Sequence, residues 1–106
     1  MFSATILVTV FFLTKIRDGV DQGQYEHWVS EVDYPTCKKY FKSIKSYTAF
    51  KVRNEKKDLP YDYIEHIDLT SKEDYEKDME KPEFKKFMDE YFKYIDSAKV
   101  IYADPV

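Results

Sequence analysis

Glu65, His66 and Asp33 have the side-chain types that proton-transfer chemistry needs. Glu65 and His66 are neighbours in the run YDYIEHIDL, residues 61–69. A carboxyl taken out of water has a raised pKa and can serve as proton donor or base. An imidazole titrates near neutrality and can do either. Asp33 sits two residues before Pro35, in VDYPT. A carboxylate there can cap backbone groups freed at a proline-interrupted helix, or it can stand at the mouth of a cavity as a third acid/base group. The remaining titratable candidates have simpler readings. His27 falls opposite the apolar side of its helix and is expected in solvent, and Cys37 reads as a small buried side chain.

Other chemistries lack their motifs. With two glycines there is no Gly-rich phosphate loop, and neither HExxH nor a nucleophile elbow occurs. One cysteine makes no intrachain disulfide and no paired metal-ligand spacing. Neither a metal nor a cofactor is expected. A net charge of −3 and a pI near 5.4 argue against a nucleic-acid partner. The run FSATILVTVFFL lacks a positive flank and a cleavage site and is too short to span a bilayer, so it reads as a buried strand. A cytoplasmic protein in a reducing compartment is the resulting expectation.

The elements that must position these groups follow from periodicity. A strand is expected over residues 3–14, then a turn at Gly19 and a helix capped by Asp21. Tyr25, Trp28, Val29 and Val32 form its apolar face. Pro35 should end or kink it, with a short continuation to about residue 41. Residues 43–53 read as the second strand, with Ile44, Ser46, Thr48 and Phe50 on one side and Tyr47 and Ala49 on the other. Residues 61–69 are the third. Ser71 caps the next helix, with Asp74 standing in for a capping-box Glu. Pro82 opens another, with Phe84, Phe87, Met88, Tyr91 and Ile95 on one face. The last strand runs to Pro105.

This order predicts an α+β, ferredoxin-like βαββαβ domain over residues 1–106, an antiparallel four-stranded sheet with helices on one face. The first strand is apolar on both sides: Ala4, Ile6, Val8, Val10 and Phe12 on one, Leu7, Phe11 and Leu13 on the other. One helical layer covers one of these. A second copy covering the other would make a homodimer, a dimeric α+β barrel. In the third strand Tyr61, Tyr63, Glu65, Ile67 and Leu69 share one side, while Asp62, Ile64, His66 and Asp68 share the other. Which side meets the helices is left open by the alternation. Either way, a face bearing ionisable groups implies an enclosed, partly wet cavity, expected at the dimer centre.

The segments YEHWVSEVDYPT, SYTAFKV, YDYIEHIDL, KPEFKKFMDEYFKYID and VIYADPV together resemble the RedY/HapK-like proteins of prodigiosin-type pigment clusters. The most specific pieces are Tyr25-x-x-Trp28, Asp33-x-Pro35-Thr36 and Tyr63-Ile64-Glu65. The resemblance implies a dimeric α+β barrel and a place in assembling a small pyrrole- or indole-type product. On that reading Trp28, Tyr47, Tyr63 and Tyr102 hold a flat heteroaromatic intermediate. His66, Glu65 or Asp33 moves protons during a cofactor-free condensation, cyclisation or dehydration. A non-catalytic protein that shelters a pigment precursor, or presents it to another pathway enzyme, is the alternative. A cofactor-free monooxygenase and a haem-binding barrel with His66 as axial ligand are weaker ones.

Overall fold

The computed structural model of the chain describes residues 8–106, so the expected start of the first strand, residues 3–7, lies outside them. Strand β1 runs Val8–Ile16. Val10, Phe12 and Thr14 are buried on one side, while Phe11 and Leu13 are half-buried on the other. Gly19 takes the positive φ expected of the turn, 83°. Helix α1, Gln22–Trp28, opens where the Asp21 carboxylate accepts from the Gln24 N–H at 3.2 Å.

The rod does not stop at Pro35. A π-helical turn, Val29–Asp33, links α1 to helix α2, Tyr34–Tyr40. Pro35 has no N–H to give to the carbonyl four residues back. The ladder loosens instead, and the Tyr34 N–H reaches Val29 O, five residues back. A π turn inserts one extra residue into the repeat. The inward face, set by Tyr25, Trp28 and Val29, therefore continues at Asp33 and Cys37 and not at Val32, which is only half-buried. The apolar face expected from a regular 3.6-residue repeat is corrected by that one residue.

Strand β2, Ile44–Lys51, and strand β3, Tyr63–Leu69, follow. Ile44 lies opposite Leu69 and Ser46 opposite Asp68, which leaves Lys45 as a bulge. The bulge moves Ile44 off the side of Ser46 and onto that of Tyr47, against the simple alternation. Asp62 precedes β3, and its carboxylate takes the Ile16 N–H at 2.8 Å where the pairing of β1 shifts register.

Helix α3, Lys72–Met79, begins at Ser71, whose hydroxyl accepts from the Asp74 N–H at 3.0 Å. The Asp74 carboxylate binds the Thr70 hydroxyl at 2.7 Å in place of a reciprocal capping bond. Helix α4, Pro82–Tyr94, starts on its proline as expected. Strand β4, Ile95–Ala103, takes Ile95 as its first residue rather than the helix's last.

The strands form one antiparallel sheet in the order β2-β3-β1-β4. This is the ferredoxin-like α+β arrangement, with both apolar clusters between sheet and helices. One gathers Val10, Phe12, Phe41, Leu69 and Phe84. The other gathers Tyr25, Trp28, Tyr63, Tyr91 and Ile95. The opposite sheet face shows Phe11, Leu13, Ile64, His66, Phe50 and Ile101, half-buried or exposed in the single chain. Among the described residues no helix is long and apolar enough to cross a membrane.

Candidate functional site

Glu65 lies on the helix-covered side of β3, which resolves the orientation that alternation left open. It is 3% exposed, and Asp33 is 1% exposed. Neither carboxyl is unpartnered. The hydroxyls of Tyr25 and Tyr91 donate to Glu65 Oε1 at 2.8 and 3.1 Å. The carboxyl oxygens of Asp33 accept from two other elements. The Tyr47 hydroxyl donates to Oδ2 at 2.5 Å and the Cys37 thiol to Oδ1 at 3.5 Å. Asp33 makes no side-chain cap at the start of α2, so its carboxyl is free to face inward.

Asp33, Cys37, Tyr47, Glu65 and Tyr91 line one cavity between sheet and helices. Phe12, Phe41, Phe84 and Phe87 supply apolar wall, Tyr47, Tyr75 and Tyr91 add phenol rings, and Met88 closes a side. Its volume is about 30 Å³, room for about one or two waters. Phe87 also lines a second, outer groove of about 260 Å³ between α2 and α4, together with Thr36, Tyr40, Glu83, Lys86 and Glu90. Phe87 is thus common to the carboxyl-lined cavity and to a solvent-facing groove.

Burial decides the electrostatics. It pushes Asp33 up to about 7, against the Tyr47 and Cys37 hydrogen bonds that favour its charged form. Burial, then the Asp33 charge, pushes Glu65 up to about 8, against the bonds from Tyr25 and Tyr91. The two carboxyls interact, so their protons belong to the pair. Near neutrality the pair holds a proton that it can give and a carboxylate that can take one. The Tyr25, Tyr47 and Tyr91 phenols and the Cys37 thiol are all raised, by burial first, and stay protonated.

The other expected residues are distributed elsewhere. His66 lies on the open face, stacked on Phe11 with ring centres 5.1 Å apart, and its Nε2 is 3.3 Å from Asp68 Oδ1. It shares no cavity with Glu65 or Asp33. Trp28 is buried among Tyr25, Phe87, Tyr91 and Tyr94 and does not line the cavity. The Tyr63 hydroxyl donates to Glu26 Oε2 at 2.7 Å, beside a separate cleft that also holds Lys51. Tyr102 sits on β4 opposite Val10, with the Lys72 ammonium 5.1 Å from its ring centre, away from the cavity. Of the four aromatics expected to hold a ligand, Tyr47 alone lines the space beside the carboxyls.

Tyr25 and Tyr91, which periodicity assigns to the core, are the donors that meet the buried Glu65. The signal for them was a glutamate on an otherwise apolar strand side, which requires donors, in a chain with ten tyrosines. Among the described residues no cluster of His, Cys, Asp and Glu is arranged to hold a metal ion.

The family model described as REDY-like protein HapK matches residues 8–106. The chain belongs to this family. HapK from Hahella chejuensis has a similar structure, with a TM-score of 0.82 at 21% identity over 93% of this chain and 92% of that one. A hydroxynitrile lyase from Passiflora edulis reaches 0.78 at 13% identity over 97% and 96%. A protein from Thermobifida fusca described as dimeric and ferredoxin-like reaches 0.73 at 12% identity over 99% and 96%. At these identities the structural likeness shows the fold. No curated protein matches the chain.

Proposed function

We propose that this chain acts on a small aromatic nitrogen heterocycle of the pyrrole or indole type, in a prodigiosin-like pigment pathway. The reaction is a cofactor-free condensation, cyclisation or dehydration assisted by acid and base. The observation that carries this reading is the buried Asp33–Glu65 pair in an aromatic cavity, with both carboxyls displaced toward neutrality. One carboxyl of the pair delivers the proton they hold to a departing hydroxyl or a carbonyl oxygen. The other takes a proton from ring nitrogen or carbon, so the pair ends with its total proton count unchanged. Tyr25 and Tyr91 orient Glu65, and Tyr47 and Cys37 orient Asp33. Membership of the HapK family supports the pathway assignment, and the Passiflora lyase is an enzyme on the same fold.

The working unit is proposed to be a homodimer closed over the open sheet face, where Phe50 and Ile101 are exposed in the single chain. The Thermobifida protein is described as dimeric. His66 would then lie at the subunit interface, apart from the carboxyl pair.

The test is complementation of a deletion strain with wild type, Glu65→Gln, Asp33→Asn and His66→Ala, with extracts followed by mass spectrometry. Loss of one member of an acid–base pair typically costs about 100-fold or more in rate. Glu65→Gln and Asp33→Asn should therefore cut pigment and accumulate one common intermediate, with circular dichroism unchanged. Full output from both variants would remove the pair from the reaction.

A further inference from the structure

The cavity has a sign. Among the described residues its lining includes two carboxyls and no lysine, arginine or histidine. The outer groove beyond Phe87 carries Glu83 and Glu90 against the one cation Lys86. An anionic ligand in the cavity would sit beside two carboxyls without a counter-charge, which burial makes unfavourable.

The hydrogen bonds are also lopsided. Both phenols that approach Glu65 end on Oε1. Oε2 accepts no hydrogen bond from any described side chain, although Glu65 is 3% exposed and lines the cavity. A carboxylate oxygen open to the cavity, with no donor among the described side chains, is the acceptor that a ligand N–H would meet. Around it the wall is ring face and edge, from Phe12, Tyr75, Phe84 and Tyr91 among others. Such a wall attracts a delocalised cation through the ring quadrupoles.

We propose that the cavity selects a planar nitrogen base bound as its cation, an amidinium, iminium or protonated azaheterocycle, whose N–H donates to Glu65 Oε2. The proposal rests on the cavity being the ligand site and adds the charge state of what binds there. At about 30 Å³ the cavity is smaller than such a ring, so the proposal includes a swing of Phe87 toward the outer groove that it also lines.

Binding a cation requires the carboxyl to be ionised, so a proton leaves as the ligand arrives. The groups facing Glu65 come from every element around it. Tyr25 comes from α1, Asp33 from the π turn, Cys37 from α2, Tyr47 from β2, Tyr75 from α3 and Tyr91 from α4. The phenols and the thiol stay protonated, which leaves Asp33 and Glu65 to titrate. Affinity for a cation therefore rises as pH passes through their range and levels off above it.

Benzamidinium, benzamide and benzoate are one planar frame carrying positive, no and negative charge. Titration calorimetry with each, on wild type and on Phe87→Ala, reads the preference directly. Benzamidinium should bind roughly tenfold or more tightly than benzamide, with benzoate weakest. Its heat should differ between buffers of different ionisation enthalpy, reporting proton release, and its affinity should climb from about pH 6 to about pH 9. Glu65→Gln should bring benzamidinium down to the level of benzamide while benzamide binding persists. Equal or tighter binding of benzamide or benzoate would overturn the charge assignment and leave the cavity as the site. A preference that survives Glu65→Gln would overturn it too, placing the cation elsewhere. Binding of none of the three, even to a folded Phe87→Ala, would overturn both the assignment and the cavity reading.

Discussion

Replacing Glu65 with glutamine should leave the protein as stable as wild type in mild acid and more stable in alkali. The folded-state pKa of Glu65 is raised, so the folded chain binds a proton that the unfolded chain has already lost. Where folded protein binds the extra proton, stability falls as pH rises. The fall begins near the ordinary carboxyl pKa and ends above the folded value. Moving this carboxyl from 4.5 to about 8 corresponds to about 5 kcal/mol, at roughly 1.4 kcal/mol per pH unit. Glutamine never ionises, and its carbonyl oxygen can still accept from Tyr25 and Tyr91. Glu65→Leu separates charge from hydrogen bonding. It strands two buried hydroxyls at a cost of about 1–3 kcal/mol each, at every pH. Urea midpoints at about pH 5 and about pH 9 measure these differences, with fluorescence of Trp28, the chain's one tryptophan, as the signal. A gap between wild type and Glu65→Gln that stays constant with pH would refute the claim that Glu65 is buried and neutral in the folded state.

Three further outcomes follow from the packing. Trp28→Ala removes a ring stacked on Phe87 at 5.5 Å from an apolar cluster, and should cost about 3–5 kcal/mol in urea or thermal unfolding; an unchanged midpoint would show that Trp28 is not core. Light scattering at micromolar concentration should give twice the 12.8 kDa chain mass. Ile101→Lys on the open sheet face should shift that mass toward one chain while far-ultraviolet dichroism is retained, and a wild-type monomer would sink the barrel argument. Ser71→Ala removes the acceptor for the Asp74 N–H at the start of α3 and should cost about 1 kcal/mol; no loss would mean that water replaces the cap.

Local chemistry was enough for much of this protein. Ser71 and Asp21 announce helix starts because a short side-chain oxygen satisfies an orphan N–H within its own turn. Pro82 marks another start because it lacks a donor that position never uses. The alternation through residues 63–69 puts Tyr63, Glu65, Ile67 and Leu69 on one side because strand side chains have a period of two. The order of elements then leaves few ways to close one sheet under one helical layer. Glu65 and Asp33 could be singled out because a carboxylate in an apolar setting is costly without a reason.

Tertiary structure decided the rest. A period of two says which residues share a side and nothing about which side is covered, so Glu65 and His66 were equivalent until the helices took one face. One bulged residue at Lys45 moved Ile44 across the sheet, and one extra residue in the π turn brought Asp33 inward in place of Val32. Neither change alters composition or mean periodicity, yet each rotates a side chain from solvent to core. Tyr25, Tyr47 and Tyr91 come from α1, β2 and α4, and only the packing of those elements sets their hydroxyls around two carboxyls. The raised pKa values arise there as well, because desolvation belongs to the enclosed cavity and not to any one residue of the sequence.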